Sequence, residues 1–234
     1  MSRDIYPSVS GAAASWRQLE VVANNLSNAG TAGFKAQRVV FQSTGSAWEG
    51  ELSKSYVRAD VSAHDMSDGP VQLDGDASHI ALQGRGFFAV QTADGAEMLS
   101  RAGALRLNGE RQLVTAAGDP VLGEGGPIEI PEGERFVVSP DGTVRTTTGD
   151  EIDRLRLLDA DEVRPVGATL WQSTGDTRPA EGVQVIQGAL EGSNADPLQS
   201  MTGLIEAGRY FEAYQKAMQT SDELDGKAND IARS

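Results

Sequence analysis

The sequence predicts an α+β protein: long N- and C-terminal helices pairing as a coiled-coil layer, with a mostly β central domain of short strands and hairpins. Three observations predict it. Apolar residues recur at helical spacing at both ends of the 234-residue chain. Between those ends, short apolar runs alternate with Asn-Gly and Asp-Gly dipeptides, which supply the positive φ that hairpin turns require. Glycine accounts for 27 residues, as a turn-rich β region needs. The chain accordingly divides into an N-terminal inner helix (1–33), an extended, mixed arm (34–74), a central mainly-β domain (75–187) and a C-terminal inner helix (188–234).

In the first segment, Val9, Ala12, Trp16, Leu19, Ala23 and Leu26 follow one another at alternating spacings of three and four. That is a heptad seam, widened by Ile5 and Ala13. Pro7 lies where a helix start tolerates it, and Ser8 or Ser10 is placed to cap. The pattern fades at Ser27-Asn28, and Gly30 and Gly33 follow, residue types that end helices readily. Residues 36–74 are mixed and rich in Ser and Gly, with no strong helical pattern.

The central strands are read at 86–92, 104–107, 112–115, 135–138, 143–145 and 155–158. Asp94-Gly95, Asn108-Gly109 and Asp141-Gly142 punctuate them. Evenly spaced short strands of this kind make a small β domain.

The last segment mirrors the first. Ala207, Tyr210, Tyr214, Ala217, Ser221, Leu224, Ala228 and Ile231 repeat at three and four, with Leu204, Phe211 and Met218 beside them. Asp196-Pro197 reads as a helix start. A helix from 196 to about 230 far exceeds the mean of about 11–12 residues, which points to a coiled coil or an assembly. Small residues along both seams permit close approach. A lone two-helix pair leaves apolar surface open, so helices from other chains are expected to cover it. Two thin helices also bury too little to offset their ordering entropy, so the ends are expected to order on joining neighbours.

Charge and composition exclude several classes. The net charge is −14, and residues 59–187 carry ten basic against 22 acidic side chains. Such a middle repels phosphate backbones, so no nucleic-acid partner is expected. With no cysteine, disulfides and thiolate metal sites are excluded. No apolar run approaches a membrane span, and the first sixteen residues have no apolar secretory core. His64 and His79 have no Gly-x-Ser-x-Gly elbow to accompany them. Asp74-Gly75-Asp76 and Asp159-Ala160-Asp161-Glu162 lack calcium-loop spacing and read as solvated turns. Gly84-Arg85-Gly86 and Gly123-Glu124-Gly125-Gly126 lack phosphate-loop spacing and read as turn or bulge glycines. No enzyme, cofactor, metal or small-molecule substrate is therefore expected.

The chain resembles a known family at both ends and in the middle. Asn24-Asn25-Leu26-Ser27-Asn28, then Thr31 and Gly33-Phe34-Lys35, resemble the N-N-L-A-N…T-G-F-K signature of the bacterial flagellar basal-body rod proteins. Gly188-Ala189-Leu190-Glu191-Gly192-Ser193-Asn194, then Met201, Ile205, Arg209, Phe211 and Glu212, are similar to the family's C-terminal signature. Between them, Ala81–Phe88 resembles I-x-G-x-G-F-F and Ser100–Leu105 resembles T-R-x-G-x-F. Gly30, Ala32, Leu105 and Ala195 depart from the usual residues. Residues 123–133 are most similar to the proximal-rod branch, with the distal rod protein as nearest competitor. A helical binding or regulatory module is the other reading the two ends leave open.

The resemblance implies a structural subunit whose terminal helices form an inner layer. Copies would stack helically, with themselves and with other rod proteins, into a torque-transmitting driveshaft across the periplasm. It further implies export by the flagellar type III apparatus without a cleaved signal. Seam and signature together give the candidate assembly interface. From the N-terminal segment it takes Val9, Ala12, Trp16, Leu19, Ala23, Asn24, Asn25, Leu26, Asn28, Gly33, Phe34 and Lys35. From the C-terminal segment it takes Glu191, Ser193, Asn194, Ile205, Arg209, Phe211, Tyr214, Met218 and Leu224. Glu206, Arg209, Glu212 and Lys216 would set register at its rim, each contributing little, about 0–1 kcal/mol. Gly33 would allow a bend between helix and arm, so Gly33→Val should harm assembly more than it harms the middle domain.

Overall fold

A computed structural model describes residues 5–45 and 55–231. The chain divides into two compact units built from non-contiguous pieces. The helical unit comprises Met1–Ser27, Ala36–Asp65 and Ala195–Ser234, and the β unit comprises Asn28–Lys35 and Met66–Asn194.

In the helical unit, α1 runs Ile5–Ser27, β1 Gln37–Gly45, β2 Ser55–His64 and α2 Pro197–Ile231. Pro7 sits in the first turn of α1, where its missing N–H is no loss. The start of α2 is built by Asp196, whose carboxylate accepts the backbone N–H groups of Leu198 (2.8 Å) and Gln199 (3.2 Å). That is an N-cap, with Pro197 fixing φ at the first helical position. β1 and β2 pair antiparallel, with one irregularity at Arg38/Val39, and lie against α1. Part of the expected arm is therefore a long hairpin.

Both terminal helices are present, but the expected coiled-coil pairing is overturned. On α1 the heptad seam is split: Ala12 is buried, Leu19 and Leu26 are half-buried, and Val9, Trp16 and Ala23 are exposed. The buried face runs instead through Gly11, Ala14, Ser15 and Val21. Tyr214 lays its ring on Gly11, where a Cβ would overlap it, and Val22 faces Gly203. Trp16 meets Phe211 at the flank, with ring centroids 5.6 Å apart and planes tilted by 50°. Leu224 and Ile231, late members of the α2 seam, are exposed. The physical reason is size. Gly11, Ala14 and Ser15 let an aromatic ring reach the helix backbone, which a Val-Trp seam does not, and β1–β2 covers part of the remaining surface. Periodicity registers apolar positions, but it does not say which of two small-residue faces a neighbour takes.

The β unit holds fifteen short strands among its described residues. β3 (Val71–Leu73), β4 (Ile80–Gln83), β5 (Phe87–Gln91), β6 (Glu97–Ser100), β7 (Leu105–Leu107) and β8 (Leu113–Thr115) come first. Then follow β9 (Phe136–Val138), β10 (Thr143–Thr146), β11 (Glu151–Arg154), β12 (Leu157–Ala160) and β13 (Val163–Pro165). β14 (Leu170–Ser173), β15 (Thr177–Pro179), β16 (Gln184–Gln187) and β17 (Ala189–Glu191) complete it. A six-stranded sheet has the order β13-β14-β6-β5-β12-β15, and a three-stranded sheet the order β11-β10-β9. β16 pairs with β4, β17 with β3 and β7 with β8, and every registered pair is antiparallel.

β5 shows why the unit closes on itself. Phe88 and Val90 join one core with Ile80, Leu82, Leu113, Val121 and Val144. Phe87 and Ala89 point to the other face and join a second core with Leu99, Leu158 and Trp171. A strand alternates its side chains, so an unbroken apolar run such as Phe87–Val90 fits only between two cores. The predicted turns Asp94-Gly95 and Asp141-Gly142 are present, with Gly95 at φ 84° and Gly142 at φ 86°. At Asn108-Gly109 the turn is longer. The positive φ falls at Arg111 (62°), and the Asn108 side chain accepts the N–H groups of Glu110 and Gln112.

Candidate functional site

The sequence-predicted interface residues separate into two groups. One lies on the helical unit. Val9, Trp16 and Ala23 line an outward face of α1, and Asn24 is exposed nearby. On α2 the predicted Ile205 shares a face with Leu198 and Met201, three and four residues apart, which the predicted interface did not include. They are strongly exposed, Leu198 at 75% and Ile205 at 59%. Buried Ser200 and Ala207 fall on the opposite side, where the helix packs. The first turns of α2 are thus apolar on both sides. Further along the same outer face stand the exposed, charged Arg209, Glu212 and Lys216. Phe211, Tyr214 and Met218 are half-buried, and Leu224 is exposed. Gly11, Ala14, Ser15, Gln18, Phe41, Tyr210 and Tyr214 surround a groove of about 240 Å³ within this unit.

Asn25 does something the sequence pattern did not predict. Its side-chain amide donates to the Gln37 carbonyl and accepts the Gln37 N–H, both at 2.9 Å. A side-chain amide can pair with a backbone amide in this two-point way, so Asn25 holds the first residue of β1 to the end of α1.

The second group lies inside the β unit. Gly33, Phe34, Lys35, Glu191 and Ser193 are all buried. Lys35 and Glu191 are each 1% exposed, and the lysine Nζ lies 2.6 Å from Glu191 Oε1. That oxygen also accepts the Gly69 N–H at 3.0 Å. The other carboxylate oxygen accepts from Arg101 at 3.1 Å, and Arg101 is only 3% exposed. Arg101 is held further by the Gly84 carbonyl at 2.6 Å and by the Phe87 ring, 5.5 Å below its guanidinium carbon. Asp68, about half exposed, reaches Arg101 at 3.5 Å. Two enclosed cations therefore share one enclosed carboxylate. Around it, Gly33 N–H donates to the Glu191 carbonyl (2.8 Å), and Asn194 N–H donates to the Phe34 carbonyl (3.4 Å). Both the Lys35 ammonium and the Asn194 amide donate to the Ser67 carbonyl. Asn28 closes the preceding turn by accepting the Thr31 N–H at 3.0 Å.

Gly33 is fixed here for two reasons. Its φ is 71°, and a Cβ would overlap the Arg101 carbonyl. A side chain at Gly33 consequently strikes the β unit itself, so Gly33→Val carries a cost within that unit as well as any cost to assembly. Phe34, 3% exposed, is likewise an anchor within this unit. Sequence reasoning included Lys35 and Glu191 but missed Arg101, because no local spacing links residues 90 and 156 positions from their partners.

The polar clusters outside this site are satisfied turns. Asp74 pairs with His79 at 2.5 Å, and backbone and side-chain hydrogen bonds hold its carboxyl below the usual range. Arg178 bridges Asp159 and Asp161, each at 2.7 Å. Among the described residues no group of three His, Cys, Asp or Glu is placed to hold a metal ion. No described helix is long and apolar enough to cross a membrane.

A β unit closed around its own charges and a helical unit with open apolar faces define a structural building block. Three family models match it in order. A flagella basal body rod protein model matches residues 5–35, a flagellar hook protein FlgE/F/G D1 domain residues 81–146, and a flagellar basal body rod FlgEFG protein C-terminal domain residues 186–231. The flagellar basal-body rod protein FlgF of Salmonella typhimurium is 33% identical over 99% of this chain and 98% of its own length. FlgF of Caulobacter vibrioides is 34% identical over 91% of this chain and 90% of its own. FlgG of Bacillus subtilis is 29% identical over 96% and 97%. The chain belongs to the flagellar basal-body rod proteins and is FlgF-like, a structural subunit of the rod.

Proposed function

We propose that this subunit builds the rod by helical polymerisation through its helical unit, against copies of itself and against other rod proteins. The observation that carries this reading is the stripe Leu198, Met201 and Ile205, exposed on the side of α2 opposite its packed face. An apolar face of this kind is costly on a free monomer and is covered in an assembly. The outward Val9 and Trp16 on α1 extend the same logic. Because these faces differ from the groove beside Tyr210 and Tyr214, contacts between copies are heterologous and build an open stack.

The reading includes a place in the basal-body rod across the periplasm, delivery by the flagellar type III export apparatus without a cleaved signal, and transmission of torque. It includes no catalysis, cofactor, nucleic acid or small-molecule substrate. The acidic middle segment and the satisfied polar turns support that part. A chain ending at residue 199 tests the proposal in cells. The expected result is loss of motility and of the rod beyond this subunit, with the β unit still resistant to protease. Normal filaments in those cells would overturn it.

A further inference from the structure

We infer that Glu191 is a closure latch: its carboxylate, seated between Lys35 and Arg101, makes docking of residues 28–35 conditional on arrival of the strand that carries it. The inference concerns the folding of the single chain and does not rest on the rod reading.

Its basis is the charge count inside the β unit. Lys35 and Arg101 are enclosed, and the enclosed carboxylate they share is Glu191. Asp68 reaches only Arg101, from a half-exposed position at 3.5 Å. Before Glu191 is in place, burying residues 28–35 puts two cations out of water without that partner, which is strongly unfavourable. Glu191 follows Arg101 by 90 residues and Lys35 by 156. A chain that emerges from its N-terminus therefore holds both cations long before their carboxylate, and closure comes late.

The latch also sits where the chain passes between its two units. Those passages fall at residues 27–28, 35–36, 65–66 and 194–195. Lys35 and Asn194 both donate to Ser67, and Asn194 N–H donates to Phe34. Closing the carboxylate site thus gathers three of the four passages in one step: those at 35–36, 65–66 and 194–195. It fixes both ends of the 36–65 piece and the start of the 195–234 piece of the helical unit, leaving the passage at 27–28 outside, and so removes loop entropy that unit would otherwise have to offset.

Hydrogen exchange on the full chain, read by mass spectrometry peptide by peptide, tests this. Glu191→Gln keeps the shape and removes the charge. The expected result is exchange at residues 28–35 and 66–70 faster by about tenfold or more, with β5–β6 (87–100) changed by less than about threefold. Lys35→Met removes one cation and leaves Glu191 paired with Arg101 and Gly69, so its effect should be confined to the same peptides and be smaller. Asp68→Asn should change every peptide by less than about threefold. Equal acceleration of residues 28–35 and 87–100 in Glu191→Gln would overturn the latch, as would no acceleration at 28–35. Should Glu191→Gln fail to fold, Lys35→Met decides: a local rise supports the latch, and an unchanged or global response overturns it.

Discussion

In the β unit Ile80, Leu82, Phe88 and Val90 are fully enclosed, whereas in the helical unit Trp16, Leu198, Ile205 and Tyr210 stand open. Both draw on the same kinds of side chain. The difference lies in period and partner. Strand β5 offers two faces and finds a core on each, so none of its own apolar side chains is left over, although Leu73, Val137 and Val166 elsewhere in the unit are exposed. Helix α2 packs one side through small residues and keeps a second apolar side largely exposed. A region that closes on itself and a region that stays unfinished can share one chain, and the unfinished one is where partners are added.

The largest effect expected to break this comparison is in the core. Leu82→Ala removes an enclosed side chain of the β unit and should cost about 2–5 kcal/mol. Denaturant unfolding followed by the fluorescence of buried Trp171 measures it. A cost under about 0.5 kcal/mol would mean the β unit is not the closed body described.

Gly33→Ala comes next. The strained φ and the overlap with the Arg101 carbonyl should destabilise the β unit by about 1–3 kcal/mol. The same unfolding assay sees it, and an unchanged midpoint would separate Gly33 from that unit.

A pH effect should be smaller and confined to the helical unit. Burial holds the His64 imidazole below its usual pKa. The unfolded chain therefore takes up this proton at a higher pH than the folded one. The stabilisation is present above the unfolded value of about 6.5 and is lost as pH falls toward the lowered folded value. Helical circular dichroism melts should shift down between about pH 7.5 and about 5.5, and less so in His64→Gln. An equal shift in both would assign the effect to other groups.

Much of this was legible in the sequence, for reasons that differ by element. Asp196-Pro197 marks the start of α2 because capping is local chemistry within four residues. Asp94-Gly95 and Asp141-Gly142 mark turns for the same reason. The coiled-coil pairing was misread because Val9 and Ala23 satisfy a heptad yet are exposed and Trp16 meets α2 only at its flank, through Phe211, while Gly11, on which Tyr214 lies, carries no apolar signal. Lys35 and Glu191 came from a resemblance at the two ends, but their enclosure with Arg101 is a long-range fact that no window contains.

The smallest effect on stability is expected on the open stripe. Leu198, Met201 and Ile205 are each at least half exposed, so Leu198→Asn, Met201→Asn and Ile205→Asn together should leave monomer unfolding within about 0.5 kcal/mol per site. The same triple variant tests most directly whether the helical unit's open face is the assembly surface. Basal bodies purified from cells whose only copy is the triple variant should lack this subunit, while the chain recovered from those cells keeps a protease-resistant β unit. Rods containing the variant at the normal level would contradict the account.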